Sequence, residues 1–101
     1  MSPDIKRTVT LDDGTEMPLL GMGTWHHGPK NEIQDALRFA IRNGYRHIDG
    51  AHIYLNEAEV GEVYDELIRH GEVRRRDLYI ASKVSAGRFR CTSLFWLILR
   101  R

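Results

Sequence analysis

The stretch YRHIDGAHIYLNEAEVGEVYDELIRHG, Tyr45 to Gly71, decides how this chain is read. It opens with a short apolar-polar run, YRHID, that has the length and alternation of a strand. After a brief connection comes a helical pattern whose apolar positions are Val60, Val63, Tyr64, Leu67 and Ile68. They recur at the three- and four-residue spacing of one helix face. Asn56 stands in N-cap position with Glu59 three residues on, the spacing of a capping box. Gly71 stands where such a helix ends. One βα unit is therefore written in this stretch, with a carboxylate, Asp49, at the lip of the strand and a phenol, Tyr54, in the loop beyond it.

Working outward, the same unit recurs on either side. LLGMGTW, Leu19 to Trp25, is apolar with two glycines, as in a buried strand. A helix is expected from about Asn31 to Asn43, with Ile33, Ala36, Leu37, Ala40 and Ile41 as its apolar stripe and Gly44 after its last turn. DLYIASK, Asp77 to Lys83, reads as a third strand, reached through VRRR, Val73 to Arg76, which reads as a solvated connection. Ahead of these units, IKRTVTLDDGTEMPLL reads as a hairpin turning at DDG. The order is thus hairpin, β, α, β, α, β. That alternation predicts an α/β fold with parallel strands and helices packed over the sheet.

The totals are those of an ordinary globular sequence: 101 residues, 42% hydrophobic, formal net charge +1. Near-neutral charge gives no electrostatic reason to expect a nucleic acid or an anionic membrane as partner. The longest apolar run, Leu94 to Leu99, is far short of the ~20 residues that span a bilayer. A single cysteine, Cys91, excludes an internal disulfide, and the first residues contain no apolar signal region. A cytoplasmic location is expected, and no metal site.

In parallel α/β folds the C-terminal ends of the strands open onto one ligand-binding face. Here those ends carry Gly23, Thr24 and Trp25, then Asp49, then Ser82 and Lys83. Asp49 and Lys83 fall on adjacent strands, and Tyr54 can reach over the same face. A phenol is a weak proton donor at neutral pH. A neighbouring ammonium favours the phenolate, and a carboxylate behind the ammonium holds it in place. Such a relay suits protonation of a carbonyl oxygen while a hydride arrives at the carbon. Taken singly, each residue has a plainer reading: Asp49 a turn former, Lys83 a solvated cation, Tyr54 half-buried packing, Trp25 core.

The motifs MPLLGMGTW, GYRHIDGAHIYLNEAEVG and RRDLYIASK resemble the N-terminal part of the aldo-keto reductases, over about Lys6 to Lys83. The resemblance implies the hairpin and the first βαβαβ part of a (β/α)8 TIM barrel. It implies NADPH-dependent reduction of aldehydes and ketones, with a small-molecule carbonyl substrate. It matches Asp49 to the catalytic aspartate, Tyr54 to the proton-donating tyrosine and Lys83 to its lysine neighbour. Gly23, Thr24, Trp25 and Asp49 match positions around the nicotinamide end of the cofactor. Gly50 departs from the cysteine common in the family. None of His26, His27, His47, His52 or His70 matches the family's catalytic histidine, which belongs to the next strand.

After Lys83 the design changes. VSAGRFRCTSLFWLILRR, Val84 to Arg101, carries no stripe of helical period, and the resemblance is expected to stop at about Val84. Residues 1–84 are accordingly expected to be an N-terminal reductase fragment and 85–101 a divergent apolar tail. The expectation is a truncated reductase, arising by retained intron, shifted frame or alternative splicing, and inactive or severely impaired alone. A barrel of this type needs ~250 residues. The alternative is a non-catalytic isoform that binds a full-length reductase or another partner. An open strand edge and an apolar tail also predict self-association or aggregation.

Overall fold

The computed structural model describes residues 5–84. The apolar tail, with its expected edge-capping or aggregating role, lies outside the described residues. Strands β1 (Thr8–Thr10) and β2 (Glu16–Pro18) form the expected antiparallel hairpin. Then follow β3 (Gly21–Gly23), α1 (Lys30–Arg42), β4 (His47–Asp49), a 3-10 turn (His52–Tyr54), α2 (Glu57–Arg69), a second 3-10 turn (Arg75–Asp77) and β5 (Tyr79–Ala81). Strands β3, β4 and β5 make one parallel sheet in that spatial order. Each is only three residues long, shorter than the apolar runs that announce it.

Register decides which residues face the helices. Met22, Ile48 and Ile80 are partners across the three strands, and all three pack in the core. The core is completed by Ile33, Leu37 and Ile41 of α1, by Val60, Val63, Tyr64 and Leu67 of α2, and by Val73 and Leu78. Both helices therefore cover one sheet face. Strand side chains alternate, so the rows Gly21, His47, Tyr79 and Gly23, Asp49, Ala81 belong to the other face. No described helix covers that face. Gly21 is required there: a Cβ would stand 3.1 Å from the His47 ring, which lies against β3 with Nδ1 2.9 Å from the Pro18 carbonyl oxygen. His47 also meets Tyr79 edge-on, so it packs and bonds locally, as its setting in a strand suggests.

Ion pairs lace α1 to α2 and to the turn that follows α2. Arg38 donates to both carboxylate oxygens of Glu66, at 2.7 and 3.1 Å, and Arg42 does the same to Glu72, at 2.8 and 3.1 Å. Such bidentate pairs fix geometry as well as charge. Arg38 holds the Glu66 carboxyl below the usual carboxylate range, and Arg42 does so for Glu72. Burial pushes the Tyr64 hydroxyl well above an ordinary phenol.

Three local expectations are corrected. Ala36 is exposed and not part of the buried stripe, which is Ile33, Leu37, Ala40 and Ile41. The VRRR connection is only partly solvated: Val73 is buried, and Arg74 closes a turn with both oxygens of Asp77. The capping box at α2 does not form, because the Asn56 side chain makes no cap bond and turns to another partner. By contrast α1 ends as expected, with Asn43 closing the last turn and Gly44 at φ +104°, a conformation that suits glycine.

Candidate active site

The site is built where β3, β4 and β5 end together. Beyond the last paired residues the ladder continues into the connections. Thr24 N–H donates to the Asp49 carbonyl at 3.0 Å, Gly50 N–H to Ala81 at 2.8 Å and His52 N–H to Lys83 at 3.0 Å. The last of these ties the 3-10 turn bearing Tyr54 directly to the backbone of Lys83. Backbone pairing thus brings Asp49, Tyr54 and Lys83 together across 34 residues of chain.

The Lys83 ammonium donates to Asp49 Oδ1 at 2.8 Å and to the Gly50 carbonyl at 3.1 Å. It also lies 5.6 Å from the centroid of the Tyr54 ring, within cation-π range. The Asp49 carboxylate raises the Lys83 ammonium above the ordinary lysine value, and Tyr54 adds to the effect in the same direction. Lys83 is held charged beside the phenol. The pair is open to solvent, with side chains 57% and 46% exposed, so its worth lies in placement more than in stability.

The three positions that the resemblance sets against the cofactor separate in exposure. Gly23 is exposed, and nothing lies within 4 Å of where its Cβ would be. Trp25 is 65% exposed, touching the His27 ring edge-on, so it is not core. Gly23 is the register partner of Asp49, so a bare backbone lies next to the carboxylate's strand, and the open indole follows two residues on. Thr24 is different. It is 1% exposed, and its hydroxyl donates to the Asp49 carbonyl at 3.0 Å. Thr24 holds the strand end in place from within and offers no open surface.

Sequence reasoning missed two contributors. The Gly50 carbonyl gives Lys83 its second anchor, and a backbone oxygen leaves no mark in the sequence. Glu57, in the first turn of α2, accepts a hydrogen bond from the Ser82 hydroxyl, which fixes the residue next to Lys83. Strand-end Ser82 was visible, but its partner lies 25 residues away.

Comparisons with known proteins bear on the family and the fold. The model of the Aldo/keto reductase family matches residues 19–94. The chain belongs to the aldo-keto reductase family. The match runs past Val84, where the resemblance read from the motifs was expected to stop. Among curated relatives, aldose reductase B of Dictyostelium discoideum is 42% identical over 73 residues, covering 72% of this chain and 24% of that protein. Aldo-keto reductase family 1 member D1 of Oryctolagus cuniculus is 44% identical over 81 residues, covering 77% of this chain and 25% of its own length. Prostaglandin F synthase 1 of Bos taurus is 43% identical over 86 residues, covering 83% and 26%. The chain spans about a quarter of the length of the curated relatives it matches. A crystal structure of a Bombyx mori aldo-keto reductase in complex with NADP superposes with a TM-score of 0.72 at 33% identity, over 78% of this chain and 27% of that one. The sheet and helices described above are thus part of an aldo-keto reductase barrel, with the sheet unclosed among the described residues. No helix among those residues is long and apolar enough to cross a membrane.

Proposed function

We propose that residues 5–84 carry the proton-delivery half of an NADPH-dependent carbonyl reductase, acting on aldehydes or ketones. The observation that carries this reading is the Lys83 ammonium, bonded to Asp49 at 2.8 Å and set 5.6 Å from the Tyr54 ring. NADPH, when bound, supplies the hydride that adds to the carbonyl carbon. Tyr54 gives its hydroxyl proton to the carbonyl oxygen, so that the C=O bond becomes an alcohol C–OH. The Lys83 ammonium stabilises the phenolate that remains. Asp49 keeps Lys83 charged and in place. Gly23 and Trp25 form the wall for the nicotinamide end, while Thr24 supports Asp49 from behind.

The 101 residues alone are proposed to be inactive or severely impaired. Two features of the described sheet support this. Its outer strands, β3 and β5, each pair on one side only, and the face bearing Asp49 is not covered by a helix. An open site leaves water on the reacting groups and weakens every electrostatic term in it. Purified chain mixed with NADPH and a reactive aldehyde should consume cofactor far more slowly than a full-length reductase. Comparable turnover overturns the impairment. The same one-sided edges also favour a second reading, a non-catalytic isoform that pairs with a full-length reductase through β3 or β5. Co-purification of the two, lost when Pro is placed in β5, is its test.

A further inference from the structure

We propose that Asn56 is a positioning residue for the Asp49–Lys83 pair, holding the start of α2 to the strand ends instead of capping the helix. This rests on the relay reading for its purpose, but its geometry stands apart from turnover. Asn56 is 4% exposed, and its Nδ2 donates to the Thr24 carbonyl at 2.7 Å. A carbonyl only accepts, so the amide nitrogen is the group that must face it. Thr24 in turn directs both its N–H and its hydroxyl to the Asp49 carbonyl, at 3.0 Å each. The chain of contacts therefore runs from Asn56 through Thr24 to Asp49, and from the Asp49 carboxylate to Lys83.

A capping asparagine turns its oxygen to the first free N–H groups of its helix. Asn56 does not: its Oδ1 is buried without a hydrogen-bond partner, and α2 starts without a side-chain cap. Both features cost stability. A residue kept in this arrangement is spent on the Thr24 carbonyl. The placement matters because Tyr54 lies two residues before Asn56, so the same tie fixes where the turn carrying the phenol leaves the sheet.

Asp and Ser are as good as Asn at an N-cap but cannot make this bond when the carboxylate is ionised or the side chain too short. The test is urea unfolding of the full 101-residue chain between about pH 4 and pH 8, for wild type, Asn56→Asp and Asn56→Ser. Each variant is compared with wild type at the same pH. This removes titration of the groups around Asn56: Glu57 and Tyr64 of α2, Tyr54 of the turn, His26 and His27 after β3, and Lys30 of α1.

At neutral pH the ionised carboxylate of Asn56→Asp faces the Thr24 carbonyl, and the unfolding constant should rise roughly tenfold to a hundredfold. Toward about pH 4 the new carboxyl protonates, can donate to that carbonyl, and should recover most of the loss. Its folded-state ionisation is raised, so the deficit grows as pH increases. A cap predicts the opposite sign, because an ionised aspartate caps best. Asn56→Ser should show a deficit that does not depend on pH. In Asn56→Ser at neutral pH, with helical signal retained, the Lys83 ammonium followed by NMR should return toward the ordinary lysine value. Either variant matching wild type at neutral pH overturns the proposal. So does an Asn56→Asp deficit that widens as pH falls, or an unmoved Lys83. If Asn56→Asp is unfolded even at about pH 4 while Asn56→Ser matches wild type, the proposal is likewise overturned. An inactive relay would leave all of these results unchanged.

Discussion

The two faces of the parallel sheet follow opposite rules. On the helix side, Leu37, Ile48, Val63 and Leu67 are fully buried, and each touches others of its kind. On the other side, Gly23, Asp49 and Trp25 stand open at the strand ends, where the Lys83 ammonium pairs with Asp49 at 2.8 Å. The first face holds the chain together, and the second carries the Asp49–Lys83 pair at its strand ends. In such a division a substitution should change stability or chemistry, and seldom both.

The largest effect is expected in the core. Leu67→Ala or Leu37→Ala removes a side chain with no exposure and should lower stability by about 2–5 kcal/mol, read from denaturant unfolding. A loss under about 1 kcal/mol would mean the core is not packed as described.

A smaller effect is expected at the lacing of α1 to α2. Arg38 lowers the Glu66 carboxyl below its ordinary value of 4.5. Its contribution is therefore present above that value and is lost as pH falls through the lower folded-state value. Glu66→Gln should remove this acid-side loss while leaving alkaline behaviour alone, as followed by helical signal against pH. An unchanged acid limb would mean that the pair is broken in solution.

At the site the sign reverses. Asp49 raises the Lys83 ammonium above 10.5. The stabilisation is present below that ordinary value and fades as pH rises through the raised one. Asp49→Asn should abolish that alkaline component, measured by NMR titration of the lysine, and at neutral pH should cost only the little that so exposed a pair contributes.

The smallest effect is expected at Trp25. Its exposed ring predicts that Trp25→Ala shifts stability by no more than about 0.5 kcal/mol. A larger loss would return Trp25 to the core and take away its proposed part in the cofactor wall.

The same division explains what could be read in advance. The helix-facing side was legible because burial imposes a period: the stripes of α1 and α2 were found from spacing alone. The error at Ala36 arose because a small apolar side chain at the stripe's margin is tolerated in water. The site side has no period. Its residues became visible only through the parallel topology, which predicts that strand ends gather, and through a motif long enough to carry a family resemblance. Asn56 shows the limit. Its spacing from Glu59 is that of a local cap, while its actual partner, Thr24, is 32 residues distant and contributes only a backbone oxygen. Local sequence cannot announce a bond of that kind. The bond from the Thr24 hydroxyl to the Asp49 backbone oxygen, 25 residues away, is of the same kind.

The central claim is that Asp49, Tyr54 and Lys83 form a working proton-delivery site once a complete barrel surrounds them. It is tested most directly by exchanging residues 5–84 for the matching segment of a full-length aldo-keto reductase and measuring NADPH-dependent aldehyde reduction. The chimera should reduce aldehydes, and Tyr54→Phe within it should lower kcat by roughly 10²-fold or more without loss of folding. A folded chimera that binds NADPH but is inactive, or one indifferent to Tyr54→Phe, would contradict the account.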